Sequence, residues 1–99
     1  MSDTQDLTIE REDGPGHGRY VIHLPDGLEA EMTFRKFGAD KISIDHTYTP
    51  PEHRGQNIAA QLMQRAIDDA RRDNIKIEPL CSYAIVQFKR HKEWADLLA

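Results

Sequence analysis

The sequence has little cysteine, few aromatic residues, no long apolar run and a shortage of positive charge. A single cysteine, Cys81, among 99 residues rules out an internal disulfide framework and fits a reducing compartment. No stretch approaches the roughly 20 apolar residues of a membrane span. The opening Met1-Ser2-Asp3-Thr4-Gln5-Asp6 is polar and acidic, not a basic segment leading into an apolar run. The expectation is a cytoplasmic protein with no membrane partner. Lys and Arg number 13 against 17 Asp and Glu, a net charge of −4, which argues against a binder of phosphate backbones and disfavours nucleic acid as a partner. His17, His23 and His91 show no metal spacing, and no metal is expected. At this length residues 1–99 make one domain, and folding buries only roughly 60–65% of the surface that the unfolded chain exposes. The core is thin, and a ligand belongs in a surface cleft.

The first half alternates short apolar stretches with turn residues, the pattern of antiparallel strands. Leu7 and Ile9 mark a first strand, and the loop Asp13-Gly14-Pro15-Gly16-His17-Gly18 separates it from a second over Arg19 to Leu24, with Tyr20, Ile22 and Leu24 on one face. After the turn Pro25-Asp26-Gly27, a third strand over Ala30 to Phe37 puts Ala30, Met32 and Phe34 together. A fourth runs from Lys41 to Thr49, its alternation placing Ile42, Ile44, His46 and Tyr48 on one face and Ser43, Asp45 and Thr47 on the other, before Pro50-Pro51 ends the ladder. The period then changes from strand to helix. Ile58, Ala59, Leu62, Met63, Ala66, Ile67 and Ala70 form one stripe, with Gln61, Gln64, Arg65, Asp68, Asp69 and Arg72 facing outward and Asn74 as the C-terminal cap. Ile75, Ile77 and Cys81 alternate along a fifth strand bent by Pro79. Ser82 is placed to cap a helical segment carrying Ile85 and Phe88, and Trp94, Leu97 and Leu98 make a further apolar stripe suited to the core or a dimer contact. A strand, a helix and a strand in succession form a βαβ unit, so the fourth and fifth strands are expected to be parallel in an otherwise antiparallel sheet. The fold class is a mixed α+β domain ending in helices.

The segment Thr49-Pro50-Pro51-Glu52-His53-Arg54-Gly55-Gln56-Asn57-Ile58-Ala59-Ala60 carries the chemistry. A strand ends here and an amphipathic helix begins, and the first amides of a helix lack intrahelical partners while the helix dipole adds positive potential. From Arg54 to Gln64 there is no acidic residue to satisfy them. Arg54 supplies a cationic fork, Gly55 permits close backbone approach, and Ala59 and Ala60 leave room beside the first turn. The alternative is a solvated loop leading into a core helix.

The run Arg54-Gly55-Gln56-Asn57-Ile58-Ala59 resembles the pyrophosphate-binding loop, Arg/Gln-x-x-Gly-x-Gly/Ala, of the GNAT acetyltransferase superfamily. With His46-Thr47-Tyr48-Thr49, Pro51-Glu52-His53 and Pro79-Leu80-Cys81-Ser82-Tyr83, the chain resembles the short stand-alone GNAT-like proteins of the YjdJ type, most specifically from about Asp45 to Tyr83. The resemblance implies a minimal GNAT-like fold and acetyl-CoA as co-substrate. Its pyrophosphate would lie on the amides from Gly55 to Ala59 with Arg54, and its pantetheine beside the fourth strand at Thr47, Tyr48 and Thr49, with no metal. Asn57 stands where the motif usually has its inner glycine; it tolerates positive φ better than most residues but adds a side chain near the phosphates.

Acyl transfer to an amine needs a deprotonated nucleophile and a proton source for the departing thiolate. Cys81, at the end of the fifth strand, is a candidate thioester acceptor or proton donor, or a small buried hydrophobe. His46 is a candidate general base or a core histidine. Tyr83 is a third candidate, as proton donor, and His53 could touch a phosphate. The leading expectation is an acetyl-CoA-dependent N-acetyltransferase acting on an amine of a small molecule or protein, as monomer or homodimer. The alternative is a non-catalytic coenzyme A or acyl-CoA binding or protein-interaction module, and a weaker one is an adaptor using Lys89, Arg90 and Lys92.

Overall fold

The turn-rich first half of the chain folds as an antiparallel meander. The computed structural model describes residues 8–99, so Leu7 lies outside the described residues. Strands β1 (Ile9–Asp13), β2 (His17–His23), β3 (Glu29–Phe37) and β4 (Lys41–Tyr48) pair in sequence order. Helix α1 (Ile58–Asp73) then carries the chain to β5 (Lys76–Pro79), which pairs with β4 in parallel, as the βαβ reading requires. Helix α2 (Ser82–Arg90) and a 3-10 segment (Lys92–Leu97) follow. The outer edge of β5 does not stay bare: Leu98 bridges Ile77, and the Ala99 amide donates to the Ile77 carbonyl at 2.8 Å.

The core lies between one face of the sheet and α1. Tyr20, Ile22 and Leu24 from β2 and its end, Ala30, Met32 and Phe34 from β3, Ile42 and Ile44 from β4 and Ile77 from β5 are buried against Ile58, Leu62, Met63, Ala66, Ile67 and Ala70 of α1. Trp94 and Leu97 close the far end of this core. Leu98, read as a core or dimer-contact residue, is exposed because it is drawn out as an edge partner of β5, and Ile85 lies on the solvent side of α2. Gly18 of β2 lies between Asp13 of β1 and Phe34 of β3 in the sheet register. A Cβ there would stand 2.6 Å from both the Glu12 carbonyl and the Phe34 ring, so only glycine lets Phe34 tuck under the hairpin.

Two parts of the sequence reading are corrected. Asp69 does not face solvent: it is only 3% exposed. Its carboxylate accepts from the Tyr20 hydroxyl at 2.8 Å, from Arg11 at 3.1 Å, from Arg65 at 3.2 Å and from Arg72 at 3.0 Å. Helical spacing puts Asp69 at the margin of the apolar stripe, and the long side chains from β1 and α1 fold over it. Burial alone pushes this carboxyl up, but the Tyr20 hydroxyl and the arginines outweigh it and hold the group below the usual carboxylate range. Burial, and then Asp69, push the Tyr20 phenol the other way, upward.

The second correction concerns the face of β4. Phe34 lies opposite Ile44, but the adjoining Thr33 lies opposite His46, so Asp45 is an extra residue, a β-bulge. One inserted residue reverses the alternation beyond it. Ile42 and Ile44 face α1 as expected, whereas His46 and Tyr48 turn to the opposite, helix-free face beside Thr33 and Glu31, and Thr47 turns toward the helices beside Met32. His46 is therefore no core histidine. It is exposed and stacked near Tyr48, ring centroids 6.5 Å apart. Asp45 is fixed by hydrogen bonds from Arg35 at 3.0 Å and from the fully buried Ser43 at 2.8 Å.

Candidate functional site

The parallel pairing of β4 with β5 stops at Ile44 opposite Pro79. The Ile44 carbonyl accepts from the amides of both Leu80 and Cys81, at 2.9 and 3.2 Å, and there the chain leaves the sheet for α2. Beyond that point β4 runs on to Tyr48 with no strand on its β5 side among the described residues. The two strands part into a gap floored by helices on one face and open on the other.

At the helix side of this gap stands Cys81. It is the N-cap of α2, a role the sequence reading gave to Ser82; Ser82 is already the first helical residue. The extended backbone at Cys81 lets its sulfur accept from the Ala84 amide at 3.5 Å. Thr47, turned inward by the bulge, brings its hydroxyl oxygen to 3.5 Å from the same sulfur. Sequence spacing gave no sign of this pair, 34 residues apart.

The loop after β4 makes the second half of the site. Pro50-Pro51 ends the strand and opens a 3-10 turn over Pro51–His53. Gly55 then takes φ +84°, and Asn57 takes φ 66° and ψ 23°, the left-handed conformation that asparagine tolerates better than most residues. These two left-handed residues reverse the chain into α1. No side chain caps the helix start and no acidic residue lies in its first turn, so the amides ahead of the first intrahelical bond, from Gln61 to Asn57, have only an external partner to turn to. A cleft of about 370 Å³ lies there, lined by Thr49, His53, Arg54, Gly55, Asn57, Ile58, Ala59, Ala60 and Tyr83.

The side chains around the cleft leave an arginine without a carboxylate partner and a threonine hydroxyl without a bond among the described residues. Arg54 uses its Nε to hold the Thr49 carbonyl at 3.2 Å and pairs with no carboxylate among the described residues. The Thr49 hydroxyl oxygen is buried with no hydrogen-bond partner among the described residues. Tyr83, on the first turn of α2, forms the wall toward the gap, and burial pushes its phenol up, so it keeps its proton. His53 has Nε2 at 2.7 Å from Asp26 and Nδ1 at 3.3 Å from the Gln56 amide oxygen. The Asp26 carboxylate, followed by Gln56, pushes its imidazole up.

The structure thus gathers Thr49, His53, Arg54, Gly55, Asn57, Ile58, Ala59 and Tyr83 at one cleft, with Gln56 behind His53 and with Thr47 and Cys81 paired in the adjoining gap. It keeps His46 and Tyr48 apart from these, on the open face of the same gap. Asp26 is the residue sequence reasoning read only as part of a turn. It does serve that turn, accepting from the Leu28 amide at 3.2 Å, and its other oxygen reaches the cleft-forming loop 27 residues away.

The chain is similar in fold to several solved structures. A GCN5-like protein from Staphylococcus aureus, solved by NMR, superposes with a TM-score of 0.66 at 24% identity over 100% of this chain and 91% of its own. Ribosomal-protein-alanine N-acetyltransferase from Brucella melitensis biovar Abortus 2308 matches at 0.62 and 20% identity over 87% of this chain and 64% of its own. Nourseothricin acetyltransferase matches at 0.60 and 22% identity over 79% and 50%. The chain therefore spans about half to two thirds of the length of these last two proteins. No curated protein sequence matches it. No helix among the described residues is long and apolar enough to cross a membrane, and no cluster of metal-ligating side chains occurs among them. The family model described as GCN5-related N-acetyl-transferase matches residues 19–97, from within β2 through the gap, the loop and both helices, and the chain belongs to the GCN5-related N-acetyltransferase family.

Proposed function

We propose that the protein is an acetyl-CoA-dependent N-acetyltransferase acting on a primary amine. The observation that carries this reading is the helix start left without a cap inside a cleft that also holds an unpaired arginine and an orphaned, buried threonine hydroxyl. These are donors in want of an anion of the size of a diphosphate. In this reading the first amides of α1 and the Arg54 fork hold the pyrophosphate, and Thr49 gains its missing bond from the ligand. The pantetheine runs through the gap, where the backbone of β4 beyond Ile44 offers ladder hydrogen bonds like those of an added strand.

Bound acetyl-CoA supplies the thioester carbonyl and a thiolate leaving group. The helices close the inner side of the gap, so the acceptor amine approaches from the open face, past His46 and Tyr48. His46 takes the proton from the attacking nitrogen as the new C–N bond forms. Tyr83, kept protonated by its burial, delivers a proton to the sulfur as the C–S bond breaks, so one proton is taken and one returned. Cys81 lies beside this path, its sulfur engaged by Ala84 and close to Thr47.

Calorimetric titration with acetyl-CoA tests the reading, with Arg54→Ala as the control. Micromolar binding weakened about tenfold in the variant, the scale of one charge-assisted pair, supports it; absence of binding to the intact protein overturns it. Intact mass after mixing with acetyl-CoA separates the two routes, since an acetylated Cys81 on the turnover time scale marks a covalent relay and its absence marks direct transfer. Binding without turnover against any amine would leave the non-catalytic binding module.

A further inference from the structure

Resting on the diphosphate cleft just described, we propose that His53 is a positioning residue that holds the anion cleft in its high-affinity form only while its imidazole is charged, with Asp26 as the partner that keeps it so. The geometry is specific. Each ring nitrogen faces an oxygen acceptor: Nε2 faces the Asp26 carboxylate at 2.7 Å, and Nδ1 faces the Gln56 amide oxygen at 3.3 Å. The carboxylate, an obligate acceptor at 2.7 Å from Nε2, favours the charged ring, whose second N–H then points at Gln56.

The contact ties the 3-10 turn after β4 to the β2–β3 turn, two segments joined by nothing else that crosses at this point among the described hydrogen bonds. His53 also forms part of the cleft wall next to Arg54. One ring therefore does two things: it fixes the loop that presents the helix amides, and it adds positive potential beside the diphosphate. The charged groups around it are Asp26 from the β2–β3 turn, Glu52 on its own turn and Arg54 at the next position. The two carboxylates favour the charged ring, Asp26 through its hydrogen bond most of all.

The direction of the pH effect follows. A histidine whose charged form is favoured stays protonated above the usual range for histidine, about pH 6.5, and binding a polyanion extends that range further. Affinity for acetyl-CoA is then full at low pH and falls as pH rises through the titration of His53. Asp26→Asn removes the carboxylate without touching the cleft lining and moves the fall to lower pH. His53→Gln keeps one donor and abolishes the titration.

The experiment is acetyl-CoA affinity of the intact protein, His53→Gln and Asp26→Asn, from about pH 6.5 to about pH 9, with the His53 ring protons followed by NMR in the ligand-free protein. The His53→Gln series subtracts the titration of the ligand's own phosphate. The expected result is a fall of about three- to fivefold for the intact protein, none beyond the ligand's in His53→Gln, a lower midpoint in Asp26→Asn, and a ligand-free His53 that titrates above the ordinary histidine range. Equal pH profiles for the intact protein and His53→Gln overturn the inference while the acetyl-CoA site stands. So does a ligand-free His53 that titrates in the ordinary range and is unmoved by Asp26→Asn. A lack of acetyl-CoA binding at every pH overturns the underlying site, and the inference with it.

Discussion

The two ends of α1 are built from the same residue type and finished in opposite ways. Each is flanked by a left-handed asparagine, Asn57 at φ 66° and Asn74 at φ 58°. At the C-terminal end the helix is closed. The Asn74 amide closes onto the Ala70 carbonyl, Arg71 and Arg72 lie in the last turn, and Asp69 just before them is saturated by Tyr20, Arg11, Arg65 and Arg72. At the N-terminal end the amides lack a side-chain cap, no acidic side chain lies in the first turn, and a threonine hydroxyl is buried without a partner among the described residues. A helix end that only needed to be stable would resemble the first of these. The second is left incomplete at a cost in stability, the pattern of a site that a ligand completes.

Changes at the two ends should separate stability from binding. The largest effect is expected from Asp69→Asn, which leaves the half-buried Arg11 and Arg65, and the exposed Arg72, short of their counter-charge and should cost about 3 kcal/mol, read as a lower Tm and denaturant midpoint. Acetyl-CoA affinity should change little. Tyr83→Phe is expected to lower kcat by about 100-fold with Tm nearly unchanged, measured by steady-state kinetics with a reactive amine. Arg54→Ala should lower acetyl-CoA affinity about tenfold and leave the denaturant midpoint in place.

The sharpest test is Asn57→Asp. A carboxylate beside a bare helix start ordinarily stabilises by about 0.5 kcal/mol, yet here it would occupy the proposed anion site. Tm is expected to rise slightly while acetyl-CoA binding weakens, opposite signs from one substitution. If both rise, the N-terminal end is an ordinary helix end and the contrast fails. The ends also differ in pH response. The Asp69 carboxyl, held low by Tyr20 and the arginines, contributes stability that is present above the unfolded carboxyl pKa of about 3.9 and is lost as pH falls through its folded value. The His53 imidazole, held high, loses its contribution as pH rises. Thermal melts down the acid limb and binding titrations up the alkaline limb should therefore report on different ends of one helix.

Much of this was legible in the one-dimensional pattern because it depends on neighbours in sequence. The change from period two to period 3.6 marks α1 from Ile58 onward, the βαβ order dictates a parallel β4–β5 pair, and the left-handed preference of asparagine marks both Asn57 and Asn74. The lack of acidic residues after Arg54 is likewise a local fact, and so the uncapped start of α1 could be read directly.

What only the tertiary structure decided concerns phase and distance. A period-two argument assumes an unbroken ladder, and the extra residue Asp45 breaks it, so His46 and Tyr48 change faces and Thr47 meets Cys81 instead. Asp69 is buried because Arg11 and Tyr20 arrive from strands 58 and 49 residues away, and His53 meets Asp26 across 27. Local spacing fixes which side of an element a residue occupies, but a bulge and the packing of distant strands decide which partner waits on that side. The chemistry of this site depends on both.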